Sequence, residues 1–162
     1  MALPIGTEAP DFTLPRKTSE GFESYTLSDN FGTHSTVLLF FPFAFTSVCM
    51  SEMCSVRDSF HDFEALDAQV YGISVDSPFT LEEMARKEQI PFPLLSDFNR
   101  EVASRYDVLY DELLGLKGVA KRSALVVGKD GRIAYSWSSD DPKNIPDFQE
   151  LQRSLSAGST AP

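Results

Sequence analysis

Cysteine is scarce in this chain: Cys49 and Cys54 are the only two. Two cysteines cannot build the disulfide framework of a small secreted domain. Histidine is equally sparse. His34, His61 and the two cysteines are the only soft metal ligands, and their spacing matches no zinc pattern, so no metal site is expected. His34 reads as a polar-loop residue and His61 as an exposed helix residue beside Asp62, which gives a histidine-based hydrolase little support. Lysine and arginine total 14 against 24 acidic residues, a net charge of −10. That balance argues against nucleic-acid binding, which needs cations to neutralise phosphates. The sequence has no Gly-rich phosphate loop, no apolar run approaching a membrane span and no basic-then-apolar leader. It has neither an internal repeat nor an internal linker.

What is present fits one globular domain. The chain has 162 residues, 42% of them hydrophobic and 13 of them Phe, enough to bury a core without crosslinks. We read 1–156 as a single domain and the small, polar stretch 157–162 as a frayed tail. The expected location is a reducing cytoplasm, where a cysteine pair is more often catalytic than structural.

Strand patterns fall at Asp11–Leu14 and Glu23–Leu27, joined by the polar stretch Arg16 to Gly21. Val37–Phe41 is a continuous apolar strand, the pattern of a strand covered on both faces. A helix is expected over Val48–Leu66, a strand over Gln69–Val75, and helices over Leu81–Gln89 and Asn99–Tyr106. Ala124–Val127 and Arg132–Trp137 flank Lys129-Asp130-Gly131, a hairpin turn signal. A last helix is expected over Ile145–Leu155. Strands alternating with helices, then a hairpin and a helix, describe an α/β layered domain with a mixed sheet.

The most informative run is Phe41-Pro42-Phe43-Ala44-Phe45-Thr46-Ser47-Val48-Cys49, with Cys54 behind it. An apolar strand stops at Pro42 and a helix begins near Thr46, so Cys49 falls in a helical first turn. Unpaired backbone N–H groups and the positive end of the helix dipole stabilise an anion there. At about 100° per residue, Cys49, Met53, Val56, Phe60 and Phe63 share one stripe facing the core. Cys54 lies about 140° off it. A buried structural thiol is the plainer reading of any single free cysteine.

The pattern Pro42-x-x-x-Thr46-x-x-Cys49, with Glu52 three residues on, resembles the active-site signature of the peroxiredoxins. Ala9-Pro10-Asp11-Phe12, Gly72-Ile73-Ser74-Val75-Asp76-Ser77-Pro78, Phe92-Pro93-Leu94-Leu95-Ser96-Asp97 and Arg122-Ser123 follow in the family's order. The likeness runs from about Pro4 to Trp137. Phe40 to Thr46 and Phe92 to Phe98 are most similar to the AhpE-type group, whereas the Cys49/Cys54 spacing is similar to the PrxQ group. The resemblance implies a thioredoxin-like fold, a mixed central sheet flanked by helices with the peroxiredoxin N-terminal hairpin. It implies a thiol-dependent peroxidase that needs no cofactor.

The same resemblance makes Cys49 the peroxidatic cysteine, oxidised by hydrogen peroxide or an alkyl hydroperoxide to a sulfenic acid. The acidic chain would favour such neutral substrates over anions. Arg122, remote in sequence, would sit beside Cys49 and polarise the peroxide; alone it reads as a surface Arg next to Lys121. Thr46 can hydrogen-bond the sulfur or the peroxide, or serve as an ordinary helix N-cap. Pro42 shapes the loop that shields the sulfur. Glu52 either orients Arg122 or is a first-turn Glu favoured by the dipole. Cys54 would resolve the sulfenic acid as an intramolecular disulfide, recycled by a thioredoxin- or glutaredoxin-like reductant. In an intact helix, residues five apart have Cα atoms roughly 8–9 Å apart. Disulfides rarely bridge beyond about 7 Å, so that step requires the helix to unwind.

Alternatives stay open at this level. Cys54 as an inert thiol gives a one-cysteine peroxidase served by an external thiol. A thiol-based redox sensor would use the same sulfur chemistry. A thioredoxin-type oxidoreductase is disfavoured by C-x-x-x-x-C in place of C-x-x-C. The stretch Leu113-Leu114-Gly115-Leu116 reads as a homodimer contact, a wall of the substrate pocket or core.

Overall fold

The computed structural model describes residues 2–159, with side chains as far as 156. A hairpin of β1 (Thr13–Thr18) and β2 (Gly21–Thr26) comes first, then a 3₁₀ turn at Leu27–Asn30. The main unit is β3 (Ser35–Phe40), α1 (Ser47–Asp58), α2 (Phe60–Ala65), β4 (Ala68–Ser74), α3 (Pro78–Glu88), β5 (Leu94–Ser96), α4 (Glu101–Arg105), β6 (Ser123–Val127), β7 (Ile133–Ser138) and α5 (Phe148–Ser159). Five strands form one sheet in the order β5-β4-β3-β6-β7. β3, β4 and β5 run parallel, while β6 is antiparallel to both β3 and β7. This is the mixed α/β sheet of the thioredoxin-like fold.

The unbroken apolar run of β3 follows from its central place. Successive side chains point to opposite faces. Val37, Leu39 and Phe41 join one core with Met53 and Val56 of α1, Leu81 and Met84 of α3, and Leu151 and Leu155 of α5. Leu38 and Phe40 join a second core with Phe12, Leu14, Tyr71, Leu95 and Tyr106. β6 divides the same way: Ala124 and Val126 to the first core, Leu125 and Val127 to the second.

Several boundaries differ from those expected, each for a local reason. The polar stretch Arg16 to Gly21 continues both hairpin strands and turns only at Ser19-Glu20. There Lys17 pairs with Glu82 of α3 at 3.2 Å. The helix expected over Val48–Leu66 is two, broken at Ser59, where Asp58 and Ser59 are both residue types that compete with the helix for backbone hydrogen bonds. The last helix starts late because Pro146 biases Ile145 away from helix. Asp147 caps it instead, accepting from the N–H groups of Gln149 and Glu150 at 3.0 and 3.3 Å. α4 is shortened because Asp97 caps it, accepting from Val102 and Ala103 at 3.1 and 2.8 Å. β5 has three residues, too few for a periodic signal. Of the tail expected at 157–162, α5 carries the backbone to Ser159, and 160–162 lie outside the described residues.

α1 reaches the sheet closely at Gly72 of β4. A Cβ there would stand 2.6 Å from Cδ2 of buried Leu94 and 3.4 Å from Sδ of Met53. Gly72→Ala should therefore destabilise the domain by about 1–3 kcal/mol through overpacking, read as a lower midpoint in urea denaturation.

Candidate active site

The site forms where β3 hands over to α1. The ladder continues one residue past the strand, with Phe41 N–H donating to Ile73 O at 3.0 Å. Pro42 has no N–H to extend it. The chain then turns through Phe45, whose φ of 64° is a rare conformation for an aromatic residue. Asp76 ties this loop to β4: its Oδ2 accepts from Ala44 N–H at 2.8 Å and from Ser74 Oγ at 2.6 Å. The sequence showed Asp76 only as part of a motif, with no role.

Thr46 holds the N-cap position by backbone, and its carbonyl accepts from Met50 N–H at 2.9 Å. Its side chain does not cap. The hydroxyl donates instead to Phe43 O at 2.9 Å. Among the described residues, no protein group accepts from the N–H groups of Ser47, Val48 or Cys49. Cys49 is the third residue of α1 and 1% exposed. Met53, Val56 and Phe63 of the expected stripe are buried with it, and Phe60 is half-buried.

Arg122 enters from the residue before β6 and is almost fully buried, which removes the surface-Arg reading. Each guanidinium nitrogen meets a different group. Nη2 donates to Cys49 Sγ at 3.0 Å, Nε donates to Pro142 O at 3.0 Å, and Nη1 lies 3.5 Å from Glu52 Oε1.

Glu52 lies beyond the first turn of α1 and is fully buried, so it is not a surface residue favoured by the dipole. The 3.5 Å approach is longer than a hydrogen bond, and neither carboxylate oxygen has a hydrogen-bond donor. Burial pushes Glu52 up from the ordinary 4.5 to about 8, against the opposing pull of Arg122. The expected charge-assisted bond is thus not made at hydrogen-bond distance, whereas the same guanidinium reaches the sulfur.

Above Cys49 lies a cavity of about 280 Å³. Pro42, Phe43, Thr46 and Val48 line it together with Leu113, Leu114, Pro142 and Lys143. Leu113 and Leu116 exchange backbone hydrogen bonds of 2.8 and 2.9 Å around a tight turn. Leu114 (φ 54°) and Gly115 (φ 80°) occupy its centre, the geometry of a type I′ hairpin. Of the readings open for this stretch, Leu113 and Leu114 fit the pocket wall. Pro142 and Lys143 carried no sequence signal. Cys54 is absent from this cavity; both cysteines are free thiols, and Cys54 donates to Glu88 Oε2 at 3.7 Å.

The buried acid has a thermodynamic consequence. A carboxyl whose folded value is raised contributes stability fully present below about 4.5 and lost as pH rises through about 8. Glu52→Gln should flatten that decline, as measured by urea midpoints across the window.

The model for the AhpC/TSA family matches residues 5–136. The chain is 35% identical to alkyl hydroperoxide reductase E of Mycobacterium bovis, covering 83% of this chain and 84% of that protein. It is 31% identical to the putative peroxiredoxin YkuU of Bacillus subtilis, over 98% and 92% respectively. Among solved structures, Mycobacterium tuberculosis AhpC superposes with a TM-score of 0.85 at 26% identity, covering 99% of this chain and 95% of that one. Peroxidoxin BcpB from the same organism gives 0.83 at 29%, over 96% and 97%. Likeness of this extent, over a thiol set in a thioredoxin-like fold, means that the chain belongs to the AhpC/TSA family and is a peroxiredoxin, an oxidoreductase that reduces peroxides with thiols.

Proposed function

We propose that Cys49 is the peroxidatic cysteine and that the 3.0 Å contact from Arg122 supplies its activation. That contact is the single observation that carries the reading. A guanidinium removed from water favours a negative charge beside it, and Nη2 of Arg122 points at the sulfur of Cys49. Thr46 has committed its hydrogen to Phe43 O, so it faces a substrate as an acceptor and can receive the O–H of a hydroperoxide. The thiolate attacks the oxygen bearing that hydrogen. The S–O bond forms and the O–O bond breaks. The departing oxygen leaves with the electron pair and takes a proton from solvent, giving water or an alcohol. Arg122 and the unclaimed first-turn N–H groups stabilise its charge.

Cys54 then attacks the sulfenic sulfur, and the first turns of α1 unwind to allow it. A thioredoxin- or glutaredoxin-like dithiol reduces the resulting disulfide in a reducing cytoplasm. Exposed Phe45, Phe79, Leu114 and Leu116 support a homodimer formed through the loop before α1, the start of α3 and the Leu113–Leu116 turn. The position of Cys54, outside the cavity, favours a second reading, in which an external thiol resolves Cys49 directly.

Intact mass after one equivalent of hydrogen peroxide separates the two. Loss of two hydrogens mapped to Cys49 and Cys54 supports the intramolecular cycle. Gain of one oxygen on Cys49 with Cys54 free supports the external thiol. Cys49→Ser should abolish peroxide consumption, and full activity in that variant overturns the assignment. Arg122→Met should slow Cys49 oxidation by about 10²–10³-fold, measured by stopped-flow fluorescence of Trp137.

A further inference from the structure

The second thiol has surroundings of its own. Cys54 is half-buried on α1 and faces the end of α3, where its S–H donates to Glu88 Oε2 at 3.7 Å. Arg57, three residues on, donates from Nη1 to the Glu88 backbone carbonyl at 2.7 Å. The same nitrogen lies 3.9 Å from Glu88 Oε2, and Nε is held by Asp58 Oδ1 at 3.0 Å. Glu88 closes α3, before Gln89 turns left-handed at φ 53°. The second half of α1 is therefore fastened to the C-terminal end of α3, while the Cys49 half carries no such tie to it.

The charged groups facing Cys54 are Arg57 and Asp58 from α1 and Glu88 from α3. Burial pushes the Cys54 thiol up most. Arg57 pulls it down, whereas Glu88, by charge and by hydrogen bond, and Asp58 push it further up. Cys54 consequently rests as a thiol, and disulfide formation requires the thiolate.

We propose that Glu88 and Arg57 act as an opposed pair of positioning residues that set the rate of the resolving step. Glu88 holds Cys54 protonated and restrains it. Arg57 anchors its half of α1 and stabilises the thiolate when it forms. The proposal rests on the reading of Cys54 as the resolving cysteine. In that step the Cys54 proton passes to solvent and the thiolate attacks the Cys49 sulfenic sulfur. The S–S bond forms, the S–O bond breaks, and hydroxide leaves to become water. Cys54 is oxidised and the sulfenic sulfur reduced, with no outside oxidant or reductant. A restrained Cys54 prolongs the sulfenic acid, leaving it open to an external thiol or to a second peroxide that would carry it to sulfinic acid.

The test uses the full-length reduced protein as wild type, Glu88→Gln and Arg57→Gln. Each is mixed with one equivalent of hydrogen peroxide, then acid-quenched, alkylated and weighed intact at a series of pH values around neutrality. Glu88→Gln should form the Cys49–Cys54 disulfide about threefold or more faster near pH 7, with its pH midpoint moved down. Arg57→Gln should form it more slowly, with the midpoint moved up. Sulfenic acid formation at Cys49 should match wild type in both, which also reports that they fold. Gln keeps a hydrogen-bond acceptor at position 88, so a purely structural role predicts an unmoved midpoint. An unmoved midpoint, or a Glu88→Gln variant no faster, overturns the proposal while wild type still forms the disulfide. A wild type that stops at the sulfenic acid with Cys54 free overturns the resolving-cysteine reading itself, and this proposal with it.

Discussion

A guanidinium sealed from water organises this molecule. Arg122 is 1% exposed, and a charge so placed persists only if its surroundings compensate it. It does so by drawing in separate segments. Pro142, in the loop after β7, turns its carbonyl onto Nε. Ser139, in the same region, donates its N–H back to the Arg122 carbonyl. The start of α1 brings Cys49 to Nη2. The parallel and antiparallel halves of the sheet meet at β3, which ends at the loop before Cys49, and at β6, which begins beside Arg122. The sheet order is thus what delivers sulfur and cation to one place.

One helix carries both sulfurs into unlike environments. Cys49 is buried at the cavity beside the Arg122 guanidinium. Cys54 sits half-exposed among a carboxylate, a guanidinium and a backbone carbonyl. The difference follows from about 140° of rotation along α1. It turns one thiol toward the sheet and Arg122 and the other toward α3. Glu52, between them in sequence, is turned inward and has no hydrogen-bond donor to its carboxylate.

The sequence was most legible where the chemistry is local. The run Val37–Phe41 announced a central strand, and the spacing Cys49, Met53, Val56, Phe63 identified the buried face of α1. Pro42 and Thr46 marked the strand exit and helix entry from their own backbone preferences. Legibility failed where a role depends on distant residues. Arg122 beside Lys121 is an ordinary basic pair until β6 is threaded next to β3, and only resemblance to a family placed it near Cys49. Pro142 acts through a backbone carbonyl, which no side-chain pattern can signal. Asp76 and Glu88 meet their partners across 32 and 34 residues of chain. The break at Ser59 was missed because the apolar stripe continues across it.

Under the proposed two-cysteine cycle, the geometry of α1 also links oxidation to folding. Its first turns are continuous in the reduced protein, and Cys49 Sγ accepts from Arg122 there. A disulfide between residues five apart cannot coexist with those turns. In the proposed cycle the oxidised chain gives up helical hydrogen bonds, the buried position of Cys49 and the sulfur's contact with the guanidinium. Reduction restores all three together. The refolding of the helix therefore drives the disulfide toward the thiols, raising its reduction potential above that of a strain-free bridge. In that cycle peroxide loads the helix like a spring, and the reductant releases it.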